Sequence, residues 1–356
     1  MNDVAPNPVV PDSVASNPGV ARRGDATSDI PATMRAAHLL RLGGPEEIRV
    51  GQLPVPHPGP TDVLVQVRAS AVDHVDALIR SGAYPTPTPS PFVIGRDLVG
   101  TVVAAGAGAE DRIGQQVWSA SLGHHGRQGA AAEYAVVPVD RLYSLPAGVD
   151  PLQTVALAHG ATTAHLGLSR EAELQAGETV LIGGAAGAVG SAAVQLAHAA
   201  GARVIATAAP ADHDWIRSHG AEAVLDYHAD DLATDLQRVA GDGVDIWWET
   251  SGHHDLDLAT SLLRPGGRIL LMAGIAATTP LPVGALYTRD ARVLGFAHSN
   301  ASAADLSAAA ERINALLAAG TLRGRIDRVL PLEQAADAHR LLETGGLHGR
   351  ILLSLD

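Results

Sequence analysis

The stretch LIGGAAGAVG, residues 181–190, limits the possible folds more than any other. An apolar run ends in a glycine-rich turn, and the turn opens directly into a helical pattern, AVGSAAVQLAHAAG, closed by Gly201. Ala185, Gly187 and Gly190 fill the small-residue positions of a G/A-x-G-x-x-G fingerprint. Small residues let backbone approach a pyrophosphate, whose charge is met by the free N–H groups of the helix N-terminus. The whole turn, Ala185, Ala186, Gly187, Ala188, Val189 and Gly190, is therefore a candidate cofactor cradle. The competing reading, a turn that only permits tight packing, is answered by what surrounds it. After residue 152 the strands ETVLIGG, RVIATA, AVLDY, VDIWWET and RILLMAG alternate with helical stretches such as DHDWIRSHG. This rhythm predicts a parallel sheet with helices on both faces.

The segment before it has a different rhythm. From Met34, MRAAHLL and EEIRVGQLP read as strands around the turn at Gly43-Gly44-Pro45. TDVLVQVRASAV alternates apolar and polar residues, and VGTVVAAG, QQVWSAS and AAEYAVVP continue a series of short strands. Residues 34–155 thus form a β-rich unit, and residues 156–298 a dinucleotide-binding unit. The segment 299–356 returns to a mixed pattern and is assigned to the first unit. It contains the amphipathic helix SAADLSAAAERINALLAAG, then RIDRVLP and HGRILLSL as strands around LEQAADAHRLLE. Residues 1–33, rich in Pro, Asn, Ser and Asp, read as a disordered tail. Arg22 and Arg23 are followed by no apolar segment of the kind an export signal needs.

Composition removes several classes of function. The chain of 356 residues is 46% hydrophobic, enough for two domains with full cores. Its net charge of −13 argues against nucleic-acid and anionic-membrane partners, and no apolar run is long enough to span a bilayer. With no cysteine there is no thiol catalysis and no cysteine-rich zinc site. With no lysine there is no Schiff-base chemistry. The expectation is a cytoplasmic enzyme acting on a small molecule.

The end of the second strand of the parallel unit bears on the choice of cofactor. An NAD site usually places Asp or Glu there for the ribose 2′-OH. Here the stretch is Ala206-Thr207-Ala208-Ala209-Pro210. Its lack of a carboxylate favours NADPH, with NADH the weaker candidate. Asp212 lies nearby, and no arginine follows immediately to bind a 2′-phosphate. Thr207, His213, Arg217 and Tyr227 are the candidates for that role.

The order of motifs resembles the medium-chain dehydrogenase/reductase superfamily in its zinc-independent quinone oxidoreductase (zeta-crystallin-like) branch. The resemblance covers residues 34–356 and rests on AVDHVDALIRSGAYP, PFVIGRDLVGTV, AAEYAVVP, LPAGVD, GGAAGAVG, GAEAVLDY, RPGGRIL and HGRILL. It implies an α/β protein in which a GroES-like β-rich catalytic domain is joined to a Rossmann doubly wound domain. Nicotinamide and substrate then lie in the cleft between them. It also implies cofactor contacts from Thr163, Tyr227, Thr250, Ser251, Gly252, Ala273 and Gly274. Arg350, where the family usually has Lys, is implied either to serve the phosphate region or to decorate a surface strand. A homodimer is implied too, with RILLMAGIAATTPLPV a candidate for the sheet edge, although burial in a monomer would explain that segment equally.

The stretch AVDHVDALIRSG, residues 71–82, now has three readings. In zinc members of the superfamily Cys matches Asp73 and His matches Arg96. An arginine offers no lone pair to a metal, so a catalytic zinc is not expected. Quinone-reductase-like members place Asn at the position of Asp73 and Tyr at that of Leu78, so the pocket differs at both. An Asp73 carboxyl desolvated beside nicotinamide would have a raised pKa and could deliver a proton. Equally, Asp73 and Asp76 could simply cap the helix that follows. Tyr84 is the other candidate proton donor. Tyr134 and Trp118 are candidate pocket aromatics for which packing is the default. The tandem pairs His124-His125 and His253-His254 read as solvated loop histidines.

The expected function is NADPH-dependent hydride transfer, without zinc, to a quinone or an activated C=C bond (enone or enoyl). The alternatives are a non-redox cyclase or rearrangement enzyme of natural-product assembly, or an NADPH-sensing binding protein.

Overall fold

The computed structural model describes residues 30–355. The expected disordered tail lies outside the described residues as far as residue 29. Its last four positions belong to the folded unit: Ile30 packs on an apolar cluster, the Ala32 carbonyl accepts from Val55, and the first strand starts at Thr33.

Two sheets organise the molecule. Six parallel strands form one sheet, in the spatial order Ala223–Asp226, Arg203–Ala208, Thr179–Gly183, Val244–Glu249, Leu263–Leu271, Arg292–Gly295. The order switches direction at Thr179–Gly183, the strand that feeds the glycine-rich turn. This is the crevice position at which open α/β sheets bind nucleotides. Of the two readings of RILLMAGIAATTPLPV, burial within the sheet holds for its strand. RILLMAG forms an interior strand, and the shorter Arg292–Gly295 pairs on its outer side.

The second sheet has seven strands and mixes chain ends. Asp62–Ala71 lies at its centre, with Asp97–Ala105 on one side and Tyr134–Pro138 and Arg350–Ser354 on the other. Arg350–Ser354 joins antiparallel through Leu352 opposite Ala71, and Ile326–Pro331 extends the sheet in parallel. A small sheet of Arg49–Pro54, Thr33–Leu39 and Phe92–Val93 closes one end.

One helix links the two units. Pro151–His165 starts at Asp150, whose side chain accepts from the Leu152 N–H at 2.9 Å, with Pro151 supplying the preset φ of a first helical position. It is buried along most of its length, and Val155, Ala158 and Ala161 share one cluster with Ala69 and Val99 of the seven-stranded sheet, Val180 of the six-stranded sheet and Ala192 of the helix Ala188–Ala199. Gly160 allows the closest approach, since a Cβ there would sit 2.5 Å from the Ala188 carbonyl oxygen. That contact places His159 and Thr163 beside the start of the glycine-rich helix. The helix Ala303–Ala318, grouped by sequence with the catalytic unit, shares this same cluster through Ala309, Ala310 and Ile313.

Candidate active site between the two sheets

The glycine-rich turn has the geometry of an anion cradle. Gly187 caps the helix Ala188–Ala199, whose first N–H groups, on Ala188, Val189 and Gly190, have no intrahelical partner. A Cβ on Gly190 would lie 2.4 Å from the Gly184 carbonyl oxygen, so only glycine fits. The Ala185 N–H donates to the Thr207 carbonyl at 3.0 Å, which ties the turn to the second strand. Thr250 Oγ1 donates to Gly183 O at 2.8 Å and thereby fixes the fourth strand's exit against the turn. Ser251, Gly252, Ala273 and Gly274 follow the C-terminal ends of the fourth and fifth strands, on the same rim of the sheet. Ala186 lies within the turn between the buried Ala185 and Gly187. These features fit a dinucleotide.

At the second strand's end Thr207 is buried, so it contributes backbone there, while Tyr227 is about half exposed. Asp212 is not a free carboxylate. Arg325 donates to it at 2.6 Å and His348 lies 2.8 Å from the same oxygen. His213 bonds the Ala208 carbonyl at 3.1 Å, and Arg217 is half exposed.

Across the junction lies a buried polar cluster that the sequence only partly revealed. Asp73 caps the helix His74–Ser81, and the Asp76 carboxylate accepts the Asp73 N–H at 2.9 Å, so the capping reading is realised. The raised-pKa reading is overturned. Burial pushes the Asp73 carboxyl up, but Arg350 and, less directly, His159 prevail and hold it near 2. Arg350 Nη2 donates to Asp73 Oδ1 at 2.5 Å with both side chains buried. Arg350 is thus neither a phosphate ligand nor surface decoration. Antiparallel pairing of its strand with Asp62–Ala71 carries its guanidinium to residue 73.

The protonated carboxyls are Asp73's neighbours. Burial, then the Asp73 charge, raise Asp97 well above the carboxylate range, and the same two causes bring Asp76 to about 8. The protonated Asp97 carboxyl lies beside the ionised Asp73. Asp97 Oδ2 accepts the backbone N–H of His159 at 3.1 Å. His159 stacks on His298 with centroids 4.5 Å apart, and His298 Nδ1 is 3.2 Å from Thr163 Oγ1. Burial lowers His159 to about 4 and holds His298 well below the usual imidazole range, so both are neutral.

Arg96 is fully buried, and only one of its donors is used, Nη2 to Ser299 Oγ at 3.0 Å. Tyr84 packs edge-on to His124 at 6.1 Å. His124 is itself buried and lowered to about 4, first by burial and then by Arg96. It is not the solvated loop residue expected. His253 lies in an exposed turn. Trp118 is spent on packing and a 3.0 Å bond to Asn314, and Tyr134 belongs to a separate cluster. The sequence reading missed Asp97, His159 and His298 as site residues and considered Arg96 only as a poor metal ligand. The signal available was chemical: GRD puts two charged residues inside an apolar strand pattern.

The zinc fit fails on the residues present. Arg96 has no lone pair to offer, and Asp73 is already paired with Arg350. Among the described residues no group of three or more His, Asp or Glu side chains is placed to hold a metal ion.

The fold and this site define a class. Residues 59–147 match the alcohol dehydrogenase GroES-like domain, and residues 188–315 the zinc-binding dehydrogenase family. The structure of an alcohol dehydrogenase superfamily protein from Novosphingobium aromaticivorans superposes with a TM-score of 0.82 at 31% identity, covering 91% of this chain and 100% of that one. The chain belongs to the medium-chain dehydrogenase/reductase superfamily. The quinone oxidoreductase of Sus scrofa is 31% identical over 329 residues, spanning 90% of this chain and 98% of the relative. A mycobacterial protein solved in complex with NADPH has a TM-score of 0.79 at 28% identity, covering 90% of this chain and 99% of that one. Within the superfamily this chain belongs to the quinone oxidoreductase branch and is an oxidoreductase. Among the described residues no helix is long and apolar enough to cross a membrane.

Proposed function

We propose that this protein is an NADPH-dependent reductase that delivers hydride, without zinc, to a quinone or to a C=C bond conjugated to a carbonyl. The observation that carries the cofactor choice is Asp212. The second strand ends without a carboxylate of its own, and Asp212, which follows it, is already neutralised by Arg325. The charge of Asp212 is therefore not free to repel a 2′-phosphate, and Arg217 and His213 stand close by. The NADPH-bound mycobacterial neighbour agrees with this choice.

Bound NADPH supplies the hydride. The chain's own residues do the rest. The first N–H groups of the helix Ala188–Ala199 hold the pyrophosphate, with Thr250–Gly252 and Gly274 on the ribose side. Thr163, fixed by donation to the His159 carbonyl at 2.8 Å, sits beside the nicotinamide. The neutral His159 and His298 keep positive charge away from that ring. Asp73 positions Asp97 rather than acting as the acid, so Tyr84 or solvent supplies the proton to the reduced carbon.

Isothermal titration with NADPH and NADH tests this reading. Micromolar NADPH binding with at least tenfold weaker NADH binding is expected. Equal affinities would overturn the 2′-phosphate assignment, and binding of neither would end the reductase reading.

We also propose a homodimer formed through the open side of Arg292–Gly295. Ile275, Leu281, Val283 and Tyr287, all at least half exposed, lie in the segment leading to that edge strand.

A further inference from the structure

Two arginines are buried at the junction, and their circumstances differ. Arg350 has a carboxylate. Arg96 has only the Ser299 hydroxyl, and its Nε and Nη1 have no partner. No ion pair is formed by Arg96 among the described residues. A fully desolvated guanidinium without a counter-charge is costly to fold. The histidines around it do not share the burden as acceptors of charge, since His124, His159 and His298 are all neutral and each has a buried ring nitrogen without a partner.

A guanidinium has five N–H groups in a planar fork. Ser299 uses one on Nη2. The second N–H of Nη2 still pairs with Nε on one edge or with Nη1 on the other, so a two-donor fork remains on whichever edge faces a ligand. Its partner Ser299 adjoins His298, whose Nδ1 lies 3.2 Å from Thr163 Oγ1 on the nicotinamide side of the junction. The Arg96 carbonyl accepts the Leu122 N–H, two residues before His124, whose ring packs on Tyr84. Arg96 is thus tied both to the segment beside the hydride donor's position and to the segment beside the candidate proton donor.

We propose that Arg96 is a catalytic residue that binds the carbonyl oxygen of the acceptor, and that the site selects acceptors whose reducible bond is conjugated to a carbonyl. The proposal rests on the reductase reading. Hydride adds to the β-carbon, the C=C electron pair shifts toward the carbonyl, and negative charge collects on its oxygen. The guanidinium fork meets that charge. A proton then adds to the α-carbon, NADPH becomes NADP⁺, and the product is the saturated carbonyl compound. A preorganised donor of this kind does in a water-free site what a Lewis-acidic metal does elsewhere. It also explains why an unpaired buried cation is kept: its partner is the transition state.

The test uses the full chain carrying Arg96→Met, Arg96→Lys or Arg96→Ala, assayed with cyclohex-2-enone and 1,4-benzoquinone. For the Met variant kcat is expected to fall on the order of 100-fold, as for loss of one oxyanion donor. Its NADPH affinity should stay within about twofold and its melting temperature should hold or rise, because an unpaired charge has been removed. Lysine, which keeps charge but not the fork, should recover part of the rate. Millimolar guanidinium ion should restore turnover to the Ala variant. A Met variant with wild-type turnover overturns the proposal. So does a loss of turnover that tracks a fall in melting temperature and resists guanidinium. If the wild-type protein reduces neither acceptor, the reductase reading fails for them separately. The anchor is then read from binding of carbonyl-¹³C cyclohexanone in the presence of NADP⁺. A downfield carbonyl shift on wild type that is lost in the Met variant supports it, and no shift on wild type overturns it.

Discussion

Arg350 and Asp73 meet at 2.5 Å across 277 residues of sequence, both buried, and the pair sets the protonation of its surroundings. Burial and then the charge of its negative member keep the protons on Asp97 and Asp76. Replacing Asp73 by Ala leaves Arg350 buried without a carboxylate, which should cost about 3 kcal/mol in urea unfolding. Part of a larger loss is hidden, because Asp97 can then ionise and take over the pairing. The double variant Asp73→Ala/Asp97→Asn should therefore lose more than the two single losses combined. Simple additivity would show that the carboxyls are not coupled.

The buried histidines and carboxyls predict a stability maximum near pH 6.5. His74, His124, His159, His165, His298 and His339 have lowered pKa values, chiefly through burial, so their contribution is complete above the unfolded value and lost as pH falls through the folded values. Asp76 and Asp97 are raised, so theirs is complete at low pH and lost as pH rises toward about 8 and beyond. Between pH 4 and 6.5 six histidines oppose two carboxyls and stability should climb with pH. Above 6.5 only the carboxyls act, and it should fall, each uncompensated proton contributing about 1.4 kcal/mol per pH unit. Asp73, lowered instead, adds a further loss only below about pH 4. Melting temperatures recorded from pH 4 to 9 check this, and a monotonic rise would contradict it.

Gly190→Ala should abolish cofactor binding while sparing most of the fold. The new Cβ would meet the Gly184 carbonyl at 2.4 Å, so the turn must open and the helix N-terminus moves away from the phosphates. A loss of NADPH affinity on the order of 100-fold or more by titration is expected from losing oriented backbone donors, each charge-assisted contact being worth about 1.5–3 kcal/mol.

The dimer proposal is checked by sedimentation. Val283→Glu combined with Tyr287→Glu should shift the protein from dimer to monomer without lowering its melting temperature by more than a few degrees, since both side chains are well exposed. A wild-type monomer at micromolar concentration would dismiss the interface.

Local pattern made the parallel half of the fold readable. Apolar strands feeding glycine turns and helices, from Thr179 to Leu271, need only neighbours in sequence to be recognised. The cradle residues Ala185–Gly190 were legible for the same reason. The polar cluster was not, because its members are distant in sequence and each is ordinary alone. Asp73 read equally as a raised carboxyl or a helix cap, and only Arg350 beside it excludes the first. His159 and Arg96 lie in helical and strand patterns whose periodicity says nothing about what they face. The sheet edge was left open between two readings because RVLG, residues 292–295, is short and half exposed, giving a weaker strand signal than the buried RILLMAG.

The strand Arg350–Ser354 fills a place between Asp62–Ala71 and Ile326–Pro331, and this imposes a schedule on folding. Every residue of the nucleotide-binding half leaves the ribosome after Asp73 and before Arg350. Until the late strand docks, Asp73 has no cation to justify its burial, and the catalytic sheet stays open beside its central strand. The nucleotide-binding half, built from near neighbours in sequence, can close earlier. Assembly of the catalytic centre is then a late event that reports completion of the whole chain, and an immature protein able to hold its cofactor would still lack the electrostatics needed to use it.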